Sequence, residues 1–289
     1  MKDRRMKLTA ALLDLDWTET ESRIERFIRD YVENTGANGV VLGLSGGVDS
    51  CTVAALAARA LGGSRVLGLM LPEKETAKSE DTEHSESVAE KFGFKTREID
   101  ITPALDEFHH SIPIFDPKDK VSDGNIKART RMIILYYYAN RMNMLVCGSS
   151  DKSETMMGYF TKWGDVAADI SPTMDLYKTQ VRKLAQHIGV PKTIAEKPST
   201  PALWPGQLAE SELGIKYELL DLILYGFEHF MPPDEIAGQL RIKPQSVQDV
   251  KNRWLSSEHK RRMLLPLKLG YRTIGTDFRL QRSPHEIDS

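Results

Sequence analysis

The feature that most constrains this chain is a junction within residues 39–61. An apolar run, Gly39-Val-Val-Leu-Gly-Leu44, stops at Ser45-Gly46-Gly47-Val48-Asp49-Ser50, and an alanine-rich stretch then continues to Leu61. A short apolar run rich in β-branched residues reads as a buried strand, and alanine-rich sequence favours helix. The two glycines between them allow a sharp backbone turn and close approach of a ligand. The expectation is a strand–turn–helix unit with its turn at the carboxyl end of the strand.

The same alternation recurs. Arg65 to Leu71 reads as a second strand, Asp81 to Phe92 as a helix and Lys95 to Ile101 as a third strand. A long helix from about Gly124 to Asn143 then leads into a fourth strand, Met144 to Gly148. Ahead of the first strand, Thr18 and Glu21 stand at capping-box spacing before the helical positions Ile24, Phe27, Ile28 and Tyr31, and Gly36 is a natural stop. Strands alternating with helices imply an α/β fold, a parallel sheet with helices on both faces. Ligands of such sheets bind beyond the carboxyl ends of the strands, where the strand order switches. After residue 150 the pattern changes: residues 158–178 are loop-like, and the remainder is mainly helical. The expected organisation is one domain over residues 1–289, with a nucleotide-binding core at 18–150 and substrate loops with a mainly helical part at 151–289.

The 39 basic and 41 acidic residues nearly cancel, so no nucleic-acid partner is expected. No run of 18 apolar residues occurs, so no membrane span is expected. Cys51 and Cys147 make neither a disulfide framework nor a metal-ligand pattern and read as packing residues. The N-terminal segment has no apolar core of a secretion signal, and the expected location is cytoplasmic.

A glycine turn feeding a helix start offers unpaired N–H groups and the positive end of the helix dipole, an anion site suited to pyrophosphate. No Gly-Lys-Ser/Thr follows, so it is not a Walker A loop. Asp49 is then better placed to hold Mg²⁺ than to touch phosphate. A plain turn with Ser50 as helix cap is the competing explanation. The complete hexapeptide resembles the signature of the ATP-pyrophosphatase superfamily, Ser-Gly-Gly-x-Asp-Ser/Thr, whose members adenylate an acceptor oxygen and release pyrophosphate.

Further stretches resemble the ammonia-dependent NAD synthetase family within it. They are Gly124-Asn-Ile-Lys-Ala-Arg129-Thr-Arg-Met132, Gly148-Ser-Ser-Asp-Lys-Ser-Glu154, Gly158-Tyr-Phe-Thr-Lys-Trp-Gly-Asp165 running on to Asp169 and Lys178, Leu203-Trp-Pro-Gly-Gln207, and His259-Lys-Arg261. The resemblance implies a Rossmann-like, adenine nucleotide alpha-hydrolase-like fold with a helical C-terminal part. It places ATP on Gly43, Leu44, Ser45, Gly46, Gly47, Val48, Asp49 and Ser50, together with Ser149, Lys178 and Thr200. It assigns deamido-NAD to Arg129, Lys162, Asp169, His259 and Lys260, Mg²⁺ to Asp49 and Glu154, and the catalytic roles to Asp49 and Lys178. It further implies a homodimer.

Several of these residues also have readings of their own. Ile126, Arg129 and Ile133 share helical spacing, which would carry Arg129 along the apolar stripe and demand an anionic or carbonyl partner, a substrate or an internal carboxylate. Glu154 alone would be a first-turn acid favoured by the helix dipole. Lys162 and Lys178 alone would be solvated lysines, and His259-Lys260 a basic helix end. Against the family pattern Gly-Thr-x-Asn-Lys-Ser-Glu, Ser149 replaces threonine and Asp151 replaces asparagine, which adds a charge beside the metal residues. Leu208-Ala209 replaces a polar pair.

The implied reaction is attack of the pyridine carboxylate of deamido-NAD on the α-phosphate of ATP, then of ammonia on the acyl-adenylate, giving NAD, AMP and pyrophosphate. Glutamine-dependent relatives carry a separate amidase domain. The nucleotide-binding part starts within about forty residues of the N-terminus, which points to free ammonia or ammonia from another subunit. The competing functions are a tRNA-modifying member of the superfamily and a non-catalytic nucleotide-binding regulator.

Overall fold

The computed structural model describes residues 7–274. Residues 1–6, part of the segment read above for a secretion signal, lie outside the described residues, as do residues 275–289 of the C-terminal tail. Four strands, β1 (Val40–Gly43), β2 (Val66–Met70), β3 (Lys95–Glu98) and β4 (Leu145–Val146), form a wholly parallel sheet in the order β3-β2-β1-β4. β1 and β2 are apolar throughout and enclosed on both faces, as parallel strands covered by helices require. β3 is the opposite case, an edge strand of sequence Lys-Thr-Arg-Glu that is largely exposed, and its charges protect an open edge.

All four strands are shorter than expected, β3 and β4 the most. β3 ends at Glu98, although Ile99 and Ile101 still donate backbone bonds to Met70 and Pro72. β4 keeps two residues because the loop at 169–170 takes over its outer side: Val146 N–H donates to Asp169 Oδ2 and Gly148 N–H to the Ile170 carbonyl.

The helices in the first half are α1 (Trp17–Thr35), α2 (Val48–Leu61), α3 (Ser79–Phe92), α4 (Thr102–Ser111) and α5 (Lys120–Met142). The cap of α1 is Asp16, whose carboxylate accepts from Glu19 N–H at 3.0 Å, not Thr18, so the capping-box reading is displaced by two residues. Gly36 does close that helix, in the left-handed conformation at φ 68°. Helix α4, for which the sequence reading offered no expectation, starts at the Thr102-Pro103 pair, with proline in the first turn where its missing N–H costs nothing.

The second half is helical: α6 (Lys152–Met157), α7 (Lys178–His187), α8 (Lys192–Ala195), α9 (Ala209–Leu213), α10 (Tyr217–Glu228), α11 (Pro233–Leu240), α12 (Pro244–Ser256) and α13 (Glu258–Arg261). Among the described residues no helix is long and apolar enough to cross a membrane.

Helix α2 lies in the main core, and its alanines allow α1, β1, α7 and α3 to approach it from several sides. Leu105 and Ala139, from α4 and α5, close the other sheet face. A further apolar cluster joins Leu8 and Leu13 to Tyr217, Leu220, Ile223, Ile236 and Val247. Because the chain runs β1, β2, β3 outward and then returns to place β4 on the other side of β1, the strand order switches between β1 and β4. The turn after β1 and the segment after β4 face each other across that switch, where a ligand crevice forms.

Asp221 joins three of the later helices. Buried in α10, it accepts from Ser153 Oγ in α6 at 2.6 Å and from Thr179 N and Oγ1 in α7 at 2.9 and 2.7 Å. Burial pushes its carboxyl up to about 6, against the opposing hydrogen bonds of Ser153 and Thr179. From the ordinary value of 3.8 to about 6, the folded chain therefore holds a proton that the unfolded chain has lost. Asp221 favours the folded state at low pH, and that contribution is lost as pH rises through 6. Asp221→Asn is expected to remove a fall in unfolding free energy of roughly 2 kcal/mol between pH 4 and 6. Urea titrations at the two pH values test this, and parallel pH slopes in parent and variant would count against it.

Candidate active site

Residues 45–50 turn as their composition requires. Gly46 sits at φ 69°, and a Cβ there would lie 2.3 Å from the Asp81 carbonyl oxygen, so only glycine fits. Ser50 Oγ accepts from Ser45 N–H at 3.1 Å, donates to the Gly47 carbonyl, and lies 3.0 Å from Ser45 Oγ. The expected cap residue thus braces the loop. Helix α2 begins two residues earlier than expected, at Val48, with Gly47 in the cap position and no side chain on its first N–H groups. Those donors and the helix dipole are left to an anion.

The loop opens on a cavity of about 760 Å³ at the carboxyl ends of β1, β2 and β4. Of the residues singled out in the sequence, Gly43, Leu44, Ser45, Gly47, Val48, Asp49, Ser50, Ser149, Glu154, Thr200 and Lys260 line it. Gly46 is turned away against Asp81.

Lys178, at the start of α7, is fully buried behind two of these lining residues, not solvated. Its Nζ donates to Asp49 Oδ2 at 2.6 Å and to Glu154 Oε1 at 2.8 Å, and lies 2.7 Å from Asp151 Oδ2. Its backbone N–H donates to Ser153 Oγ, and the Tyr217 ring lies 5.3 Å from its ammonium. Burial would depress the lysine, but Asp151, Asp49 and Glu154 together hold it well above its ordinary value. Burial, followed by the charge of Asp151, pushes Glu154 up to about 8 against the pull of Lys178. Burial likewise raises Asp151.

This group also suits a divalent cation. Ligand oxygens of Asp49, Asp151 and Glu154 lie within 4.8 Å of one another, and Asp49 Oδ1 is buried without a hydrogen-bond partner. Hard carboxylate oxygens are the donors Mg²⁺ takes. Asp49 and Glu154 face the cavity, and Asp151 stands behind them. The sequence reading put Asp151 beside the metal residues as an added charge, and its spacing to Glu154, Asp-x-x-Glu, is also a helix-cap pattern. Its Oδ1 does accept the Glu154 N–H at 2.7 Å.

Arg129 departs from expectation. It is exposed, outside the cavity lining, and donates to the Lys162 carbonyl at 3.3 and 3.4 Å. Helix α5 buries Gly124, Lys127, Ala128, Thr130 and Ala139, so the Ile126–Arg129–Ile133 stripe lies off its enclosed face. Arg131, two residues on, lines the cavity where Arg129 does not, with Nε donating to the Leu71 carbonyl at 3.0 Å. Lys162 Nζ donates to the His259 carbonyl at 2.6 Å, and neither Lys162 nor His259 lines the cavity. Asp169 also lies outside it, with Oδ2 on Val146 N–H and Oδ1 on Tyr136 OH. Lys260 lines the cavity while donating to the Gly158 carbonyl. Burial pushes the thiols of Cys51 and Cys147 up to about 12, as suits packing residues.

The family model for NAD synthase matches residues 20–264. The chain belongs to the NAD synthase family. The NH₃-dependent NAD⁺ synthetases of Hyperthermus butylicus and Methanocaldococcus jannaschii are each 49% identical to it. They match over 86% and 84% of this chain and 90% and 94% of their own lengths. Among solved structures, NMN synthetase from Francisella tularensis is similar at TM-score 0.78 and 32% identity, over 89% of this chain and all of that one. NH₃-dependent NAD synthetase from Campylobacter jejuni is similar at 0.74 and 31%, over 88% of this chain and all of that one. NAD synthetases are ligases, and the expected parallel, Rossmann-like architecture is the one this family shares.

With Glu154 held near 8, a cation entering at neutral pH must displace a proton. Mg²⁺ affinity is therefore expected to rise with pH by up to about tenfold per unit and to level off above 8. Calorimetric titrations at pH 6, 7, 8 and 9 test this, and affinity independent of pH would contradict it.

Proposed function

We propose that this protein is an ammonia-dependent NAD synthetase, which converts deamido-NAD, ATP and ammonia into NAD, AMP and pyrophosphate. The observation that carries the reading is the uncapped start of α2 beside Asp49, Glu154 and Lys178, in a chain that spans nearly the whole length of ammonia-dependent relatives. A tRNA-modifying or regulatory role has no comparable support.

In this reading the ATP phosphates lie against residues 45–50, with the N–H groups of the first turn of α2 as donors. Asp49 and Glu154 hold Mg²⁺, which when bound offsets the negative charge of the phosphates. The pyridine carboxylate attacks the α-phosphate, and the bond to pyrophosphate breaks. Lys178 neutralises charge as pyrophosphate leaves. Ammonia then attacks the acyl carbon, and AMP departs with the oxygen it had activated. No protein nucleophile is needed, consistent with two buried, unactivated thiols.

Ser149 and Thr200 contribute hydroxyls on the ATP side, and Lys260 faces the dinucleotide. Arg129, Lys162, Asp169 and His259 act where the dinucleotide leaves the cavity near a second subunit. The protein is a homodimer, and α5 carries a surface suited to it, with Val121, Ile133 and Tyr137 exposed. Its location is the cytoplasm.

The deciding assay follows NAD and AMP from deamido-NAD, ATP, Mg²⁺ and ammonium. One NAD per AMP is expected, with Asp49→Asn reducing turnover by about 10²–10³-fold. The corresponding mononucleotide acid, run in parallel, should react at least about tenfold more slowly if the dinucleotide is the substrate. AMP release without NAD, or equal rates with glutamine, would overturn the assignment. Light scattering should give twice the chain mass, and a monomer at assay concentrations would remove the dimer from the proposal.

A further inference from the structure

Asp151 is the most enclosed of the three carboxylates around Lys178. It has no solvent exposure and no part in the cavity wall, which Asp49 and Glu154 both reach. Its Oδ1 accepts the Glu154 backbone N–H and caps α6. Its Oδ2 lies 2.7 Å from the Lys178 ammonium yet accepts no hydrogen bond in line. One side chain thus touches both the backbone of a cavity-facing carboxylate and the buried lysine.

The ammonium is bonded to Asp49 Oδ2 and Glu154 Oε1, from the two side chains that would hold a divalent cation. Ammonium and cation draw on the same carboxylates. A fully buried ammonium that gave up both partners without another counterion would be strongly disfavoured. Asp151 Oδ2, already 2.7 Å from the ammonium, supplies the counterion that prevents this, and an ammonium has three donors to redistribute. We propose that Asp151 is the positioning residue that retains the Lys178 ammonium in the site once Asp49 and Glu154 are committed to a divalent cation. The inference rests on the metal role proposed above.

The test separates Asp151's charge from its cap. Asparagine and serine cap a helix about as well as aspartate, so Asp151→Asn and Asp151→Ser preserve the bond to Glu154 N–H while removing the charge. With a neutral residue at 151, the ammonium depends wholly on Asp49 and Glu154 and competes harder with a cation for them. Mn²⁺ binding is measured by calorimetry without nucleotide in the parent, Asp151→Asn, Lys178→Met and the double variant, with thermal melting alongside.

The expected result is Mn²⁺ affinity at least about tenfold weaker in Asp151→Asn, but changed by no more than about threefold between Lys178→Met and the double variant. Melting of Asp151→Asn should stay close to the parent. Equal losses in both backgrounds would overturn the inference, because Asp151 would then act on the cation directly. Unchanged affinity would also overturn it and leave Asp151 a cap alone. Should the asparagine variant fail to fold, Asp151→Ser supplies the same comparison. A parent that binds no Mn²⁺, or Asp49→Asn that binds as well as the parent, would overturn the metal reading and this inference with it.

Discussion

The ammonium of Lys178 is sealed from solvent with oxygens of Asp49, Asp151 and Glu154 at 2.6, 2.7 and 2.8 Å. Taking one such ion out of water costs several kcal/mol, and only close counterions offset it. The counterions here come from the first turn of α2 and from the cap and first turn of α6, and the lysine from the first turn of α7. Three helix starts are thus held together by charge at the switch between β1 and β4. Removing the lysine would leave three close carboxylates without their counterion, a loss on the order of 3–5 kcal/mol.

Further hydrogen bonds set where these charges stand. Ser153 Oγ donates to Asp221 and accepts the Lys178 backbone N–H, while Thr179 donates twice to the other Asp221 oxygen. The Tyr217 hydroxyl donates to Glu154 Oε1 at 3.3 Å. Tyr217 and Asp221 both belong to α10, so a helix with no motif of its own fixes the geometry of residues far upstream. The cluster carries three carboxylates against one ammonium, and burial, followed by the charge of Asp151, is why Glu154 titrates high. It is an arrangement favourable to a cation at some cost to stability, as expected where a fold keeps like charges close for function.

Much of the fold was legible from local pattern. The apolar run at 39–44 and the glycines after it are intelligible without distant contacts, because a parallel strand enclosed on both faces is apolar throughout. What failed depended on neighbours. The phase of α5 was misread because its enclosed face carries Gly124, Lys127 and Thr130 instead of large apolar residues. Lys127 is buried there by an ion pair with Glu73 at 3.2 Å, which no periodicity reveals. β4 lost residues to a loop more than twenty positions away. At the N-terminus two acceptors competed for one cap, and Asp16 held it.

The sequence by itself determined the alternation of strands and helices, the turn at 45–50 and the family, since each rests on residue types at short, regular spacing. Only the tertiary structure decided that Lys178 is buried, that Asp151 is sealed against its ammonium, and that Arg131 instead of Arg129 faces the cavity. The reason is physical. Conformational preference acts over a few residues, whereas the burial of an ion depends on every counterion the fold brings within a few ångströms of it, wherever those lie along the chain.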